Sequence, residues 1–307
     1  MKLKRPSFWE NLNFISILLY PFTILTEISN YFKSLQEKQK FNIKTICVGN
    51  IYLGGTGKTP LSIKINEILK KKFKIVFVKK FYSNQFDEQN LLGENGQLIS
   101  KKKRSDGLRK AVKKKFDLAI LDDGLQEKKI IHNIKIVCFN SSSGVGNGLI
   151  LPAGPLRERI SSLKNYDVAF LIGEKKNKSL LNKIRKANRN ISVFESKYII
   201  LNLNILDKKK KYLVFSGIGN PLEFENTLKK YKLKFNEHLI FPDHYEYSSS
   251  EIKEIKHKAR LKNLNIITTE KDYLRLNSKD KKNINFVKID LKIINLEKFY
   301  NFLIEKL

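Results

Sequence analysis

The 307 residues, 41% hydrophobic and 29% charged, can bury the core of two modest α/β domains or one large one, which excludes a disordered or fibrous chain. Lys and Arg number 60 against 30 Asp and Glu, a formal charge of +30, but the lysines recur in loops and on helix faces alike. The excess therefore reads partly as overall composition and partly as attraction to an anionic membrane or substrate. No zinc-finger spacing or interleaved aromatic–basic pattern occurs, so nucleic acid is not the expected partner. Cys47 and Cys138 each lie in an apolar run and read as buried hydrophobes rather than as a disulfide or metal framework.

The first predicted element spans Phe8 to Phe32. Its apolar core, 14–25, falls short of the roughly 20 residues that a spanning helix needs. Lys2, Lys4 and Arg5 precede it in the manner of a signal peptide, but no small-residue cleavage site follows. Trp9, Phe14 and Tyr20 suit a helix lying among lipid headgroups, with basic residues gripping anionic lipid. The alternative is a core-packing helix broken near Pro21. Residues 1–35 are expected to form the membrane-surface segment.

Next comes an apolar strand, Ile43 to Val48, then a Gly-rich turn, then a helical pattern from Leu61 to Leu69. The turn holds Gly54-Gly55-Thr56-Gly57-Lys58-Thr59. This is the setting of a phosphate-binding loop, with Tyr52 where the usual pattern has its first glycine. Glycines let successive N–H groups point into one concavity, and the helix N-terminus adds positive potential. Lys58 is expected at the β/γ-phosphates of ATP and the Thr59 hydroxyl on Mg²⁺. The simpler alternative is an ordinary Gly-rich turn.

Lys74 to Val78 reads as a second strand, and 79–103 as polar and irregular. Phe116 to Leu121 is a strand ending in Asp122-Asp123-Gly124. One of the two carboxylates is expected to hold Mg²⁺, as paired acids at the end of such a strand do, although paired acids also form plain turns. Ile134 to Phe139 and Tyr166 to Ile172 are further strands, with a helix from Lys178 to Ala187. Between them Leu151-Pro152-Ala153-Gly154-Pro155-Leu156-Arg157-Glu158 reads as a stiff loop, either aiming an Arg and a Glu or forming an elbow with a salt bridge.

The pattern restarts at about 208. Strands Tyr212–Phe215, Leu239–Phe241 and Asn265–Thr268 alternate with helices Leu222–Lys230 and Ser248–Arg260. The expected class is α/β: a P-loop domain over 36–207 and a smaller α/β domain over 208–307. Gly217 and Gly219 read as a tight strand-to-helix turn, since G-x-G alone is a weak dinucleotide signal. His244 follows a strand in Pro242-Asp243-His244, where an imidazole can relay a proton or be a bystander. His132, His238 and His257 read as structural or surface residues.

In this order, these segments resemble the bacterial tetraacyldisaccharide 4′-kinases of lipid A synthesis. The resemblance is carried by Gly49-Asn50 through Gly55-Thr56-Gly57-Lys58-Thr59-Pro60, Asp122-Asp123-Gly124-Leu125-Gln126 and the Leu151–Glu158 block. Ser216-Gly217-Ile218-Gly219-Asn220-Pro221, Phe241-Pro242-Asp243-His244 and Thr269-Glu270-Lys271-Asp272 extend it over nearly the whole chain.

The resemblance implies a peripheral kinase at the cytoplasmic face of the inner membrane. It would move the γ-phosphoryl of ATP to the 4′-hydroxyl of an acylated glucosamine disaccharide 1-phosphate, giving lipid IVA. It also implies two α/β/α domains hinged across a cleft, which closes to exclude water. The family's Mg²⁺ ligands map to Asp122, Asp123 and Glu158, its catalytic base to Asp87, and its supporting histidine to His244. Several positions depart from the family's pattern. The usual Ser-Arg-Gly-Tyr-Gly after the second strand reads Lys79-Lys80-Phe81-Tyr82-Ser83, and the loop to Asp87 is shorter. Phe86 and Gln89 flank the base motif in place of Gly and Pro, which leaves Glu88 as an alternative base, and Glu127 replaces the usual His. Two other readings stay open: a P-loop ATPase switch for nucleic acid or a protein partner, and a family member that binds without turnover.

Overall fold

The computed structural model describes residues 6–82, 86–174 and 176–307; Lys2, Lys4, Arg5 and Ser83, named above, lie outside the described residues. In chain order the elements begin with α1 (Phe14–Leu19), α2 (Thr23–Leu35), β1 (Lys44–Gly49), α3 (Lys58–Leu69), β2 (Ile75–Lys80) and α4 (Phe86–Asn95). There follow β3 (Leu98–Lys101), α5 (Arg104–Lys113), β4 (Leu118–Asp122), β5 (Ile134–Asn140), β6 (Val168–Ile172), α6 (Lys178–Ala187) and β7 (Ser192–Ile200). The remainder comprises β8 (Lys211–Ser216), α7 (Pro221–Lys230), β9 (Lys234–Ile240), α8 (Ser249–Leu261), β10 (Asn265–Thr269), α9 (Glu270–Arg275), β11 (Ile284–Val287), β12 (Ile289–Ile293) and α10 (Leu296–Lys306).

The chain forms two compact units. Among described residues the larger comprises 6–82, 92–174, 176–197 and 293–307, and the smaller 86–91 and 198–292. A single boundary between 207 and 208 does not describe this division. The last helix belongs to the larger unit because Phe299 packs its ring against Phe170 and Phe194 at 5.2 and 4.8 Å.

The larger unit is built on the parallel strands β7-β6-β5-β1-β4-β2-β3 of an eight-stranded sheet. Its central strands are buried but for Lys44 and Lys135, as parallel strands covered on both faces must be. The stretch 79–103, expected to be irregular, holds α4 and β3. Gly93 reads as a breaker in the sequence pattern, yet it lies inside α4, where a Cβ would meet open space. In the smaller unit the sheet is β11-β10-β8-β9, again parallel. Alternation along β8 places Leu213 and Phe215 with Ile252 and Ile255 of α8, and Tyr212 and Val214 with Phe224 and Leu228 of α7. Helices therefore cover both faces.

The N-terminal segment breaks at Pro21 into α1 and α2, joined by a 3-10 turn. Polar bonds tie it to the Leu151–Glu158 loop: Trp9 Nε1 to Pro152 O (3.0 Å), Thr26 Oγ1 to Leu151 O (2.8 Å) and Asn30 Nδ2 to Arg157 O (2.8 Å), with a Glu27–Arg159 ion pair. Its apolar side chains do not enter the core. Phe14 is 78% exposed, and Ile17, Leu18, Ile24, Leu25 and Phe32 are exposed with it, so the core-packing alternative fails. Among the described residues no helix is long and apolar enough to cross a membrane.

Candidate active site

The larger unit gathers the phosphate-loop residues at the carboxyl ends of its central strands. Gly57 caps α3 with φ +76°, a left-handed conformation that glycine adopts without strain, and it hands the chain directly to Lys58 and Thr59. β1 and β4 are paired with Val48 opposite Asp122, which sets the loop beside the strand-end carboxylates. Thr59 Oγ1 donates to Asp122 Oδ2 at 3.1 Å and Ser62 Oγ to Oδ1 at 3.3 Å. Lys79 Nζ lies 2.6 Å from the same Oδ2.

Asp123, just past the strand, has φ +57°, which turns its carboxylate away from that of Asp122 and toward Lys58 Nζ (3.7 Å) and Arg157 Nη1 (3.4 Å). Burial pushes the Asp123 carboxyl up, but Lys58, then Arg157, Lys79 and Arg104, outweigh it and hold it below the usual carboxylate range. Arg104 Nη2 also donates to the Asp123 carbonyl at 2.6 Å, while its Nη1 pairs with Glu127 at 3.2 Å. Glu127 is thus a partner for an arginine.

The Leu151–Glu158 loop is laid onto the phosphate-loop entry by backbone bonds from Leu53 N to Pro155 O (2.8 Å) and Arg157 N to Ile51 O (2.7 Å). Its Arg157 is ion-paired with Asp123, and neither of the two sequence readings is singled out by that contact. Glu158 is differently placed. Its carboxylate accepts from Lys128 Nζ at 2.7 Å, Tyr166 OH at 3.1 Å and Gln126 Nε2 at 3.4 Å. Among the described residues no three His, Cys, Asp or Glu side chains gather as a metal-holding cluster.

The smaller unit holds a second constellation. Asp87, on the first turn of α4, is buried, and its Oδ1 lies 3.1 Å from His244 Nδ1. Arg275 Nη2 donates to Asp87 Oδ2 at 2.7 Å, and Lys271 Nζ lies 3.3 Å from that oxygen. Burial pushes the Asp87 carboxyl up; the hydrogen bond from His244 and the charges of Lys271 and Arg275 overcome this and hold it far below the usual range. Glu88 is also close, at 3.6 Å from His244 Nε2 and 3.3 Å from Lys271 Nζ.

Three motifs converge here. Gly217, after β8, donates its N–H to buried Asp272 (3.0 Å) and accepts from Arg275 Nη1 (2.9 Å) and His244 N (3.2 Å). A Cβ on Gly217 would come to 3.0 Å from Pro242 O and from the side chains of Tyr245 and Tyr247, so the strand-end turns pack closely around this glycine. Asp272 in turn pairs with Arg275 at 2.8 Å. The pairing of Asp87 with His244, which the resemblance implied, is present. Arg275 and the role of Lys271 were missed; the available signal was their i, i+4 spacing on one short helix next to Asp272.

A model of the tetraacyldisaccharide-1-P 4′-kinase family matches residues 12–307. The chain belongs to that family. It is 48% identical to the tetraacyldisaccharide 4′-kinase of Pelagibacter ubique (strain HTCC1062), over 99% of this chain and 98% of the relative. It is 34% identical to the Rickettsia canadensis (strain McKiel) enzyme of the same name, over 96% and 95% of the two chains. The crystal structure of LpxK from Aquifex aeolicus in complex with ATP is similar in fold, with a TM-score of 0.71 and 22% identity, covering 95% of this chain and 99% of that one. The family membership and the shared fold account for a chain whose motifs lie at the ends of parallel strands in both units.

Proposed function

We propose that this chain transfers the γ-phosphoryl of ATP to the 4′-hydroxyl of a tetraacyldisaccharide 1-phosphate, the reaction for which its relatives are named. The observation that carries the proposal is the contact of Thr59 with Asp122, which joins the phosphate loop to the strand-end acid within a chain of this family.

The larger unit supplies the phosphate-holding groups. The loop amides of Gly54, Gly55, Thr56 and Gly57, with Lys58 and Arg157, bind and orient the triphosphate. The Thr59 hydroxyl and the Asp122 carboxylate are hard oxygen donors, the kind Mg²⁺ takes, and they fit that ion; Asp123 adds a second carboxylate beside Lys58. When bound, Mg²⁺ supplies neutralisation of charge on the β- and γ-phosphates. Glu158 is committed to Lys128 and Tyr166, and in this reading it braces Gln126, which bonds Arg157 at 3.0 Å, rather than touching the metal.

The smaller unit supplies the groups that activate the acceptor. Both Asp87 oxygens are engaged, Oδ1 by His244 and Oδ2 by Arg275, so the Asp87–His244 pair takes the sugar hydroxyl proton as a unit. The exposed apolar face of α1 and α2, with the basic surface, supports peripheral attachment to an anionic membrane at the cytoplasmic face, where such an acceptor lies. A nucleic-acid switch leaves that face without a role.

The test is incubation of detergent-solubilised protein with Mg²⁺ and γ-labelled ATP and the acylated disaccharide 1-phosphate. Label should move to the lipid and cease to move in Lys58→Ala. ATP bound without transfer would identify a binding protein instead.

A further inference from the structure

Beside the phosphate loop lies a buried ammonium for which the reaction just described has no use. Lys79, near the end of β2, is 1% exposed, and its Nζ is 2.6 Å from Asp122 Oδ2. Register puts it there. β2 and β4 are parallel neighbours with Val78 opposite Leu121, so the next residues along, Lys79 and Asp122, end side by side on one face.

Its electrostatic consequence follows from what surrounds the loop. Asp122 and Asp123 border a site for a polyanion, and each carboxylate repels that ligand unless its charge is offset. Asp123 has Lys58 at 3.7 Å and Arg157 at 3.4 Å. Asp122 has Lys79. A buried ion pair of this kind stays together, because leaving either member alone is strongly unfavourable. The offset at Asp122 is therefore part of the fold and does not have to be drawn from solution.

We propose that Lys79 is a built-in counter-cation of the nucleotide site, and that the site consequently holds a nucleoside triphosphate with little help from a divalent metal. This rests on the reading of residues 54–59 as the ATP loop. Lys79 acts through Asp122 and is a positioning residue: it cancels the repulsion that a metal would otherwise have to cancel.

The experiment measures the affinity of the full chain for a fluorescent ATP analogue in excess EDTA and in Mg²⁺. The wild-type dissociation constants should agree within about tenfold. Lys79→Ser should bind about tenfold more weakly in EDTA or worse, and recover in Mg²⁺, because the metal then offsets the charge of Asp122. Lys79→Ser/Asp122→Asn should regain the affinity in EDTA, since the uncompensated carboxylate is gone, and should lose its response to Mg²⁺. A purely structural lysine predicts equal loss in both buffers and no recovery in the double variant; that result overturns the proposal. So does a wild-type affinity that collapses more than 100-fold in EDTA, a reading that needs no variant and stands even if Lys79→Ser does not fold. No binding in either buffer would overturn the ATP-loop reading as well.

Discussion

Arg275→Ala is the sharpest perturbation of the acceptor-activating site. It deletes the 2.7 Å bond from Nη2 to Asp87 Oδ2 and the 2.8 Å bond from Nη1 to Asp272. At an effective dielectric of about 20, bare attraction at 2.7 Å is roughly 6 kcal/mol, an upper bound on what the contact contributes. A hydrogen bond to a charged group contributes about 1.5–3 kcal/mol net. Asp87 keeps His244 and Lys271, so the loss should fall near 2 kcal/mol, or about 30-fold in kcat. The KM for ATP should stay within about twofold, because the phosphate loop belongs to the other unit. Arg275→Lys keeps a cation for both carboxylates but not the two-pronged geometry, and it should recover most of the loss. Steady-state kinetics with dispersed acceptor, alongside thermal unfolding of each variant, reads all of this. A folded Arg275→Ala with wild-type kcat would refute the reasoning that Asp87 needs its arginine.

His132 should make the larger unit acid-sensitive. Its ring nitrogens are buried without hydrogen-bond partners, and burial first, then Lys135 and Arg104, push the imidazole down to about 3. The folded value lies below the ordinary 6.5, so the unfolded chain binds the proton first, and stability is lost as pH falls from 6.5 toward 3. At pH 5 the loss is ~2 kcal/mol relative to pH 7. Urea unfolding followed at Trp9, the single tryptophan, should show this in wild type and much less in His132→Leu. Replacing Ile17, Leu18, Ile24 and Leu25 together with serine should weaken binding to anionic vesicles by at least about 100-fold, since each such side chain contributes about 1.5–3 kcal/mol on leaving water. Turnover of detergent-dispersed acceptor should not change. Gly57→Ala forces a side chain into φ +76° and should lower stability by about 1 kcal/mol and ATP affinity with it, as a binding titration would show.

The α/β alternation was legible wherever apolar runs were short and flanked by turn residues, as at β1, β4, β5, β6 and β10. Elements whose pattern is mixed were not. β7 carries Glu195, Ser196 and Lys197 in its middle and alternates between buried and half-buried positions, so no apolar run marks it. α4 begins with Asp87 and Glu88, a good helix start, but then runs through Gln89, Asn90 and Gly93 with a weak apolar stripe. α10 has Leu296, Phe299 and Leu303 at helical spacing, yet its attachment to the larger unit depends on an aromatic contact with Phe170 and Phe194, far away in the chain.

The candidate site divides along the same line. Groups held by local geometry, such as Gly57, Lys58 and Thr59, announce themselves by spacing alone. Groups held by distant partners do not: Arg275 meets Asp87 across 188 positions, and Lys79 meets Asp122 only because two strands share a register. The charge of the chain hides them further. With 60 basic residues, a count cannot pick out the few that matter. Burial can. The side chains of Lys58, Lys79 and Lys271 are 15%, 2% and 20% exposed, and each faces a carboxylate at one of the two constellations. A lysine that gives up most of its hydration must be repaid by a fixed anion, so in a chain saturated with lysine the sheltered ammonium carries the information and the exposed one carries almost none.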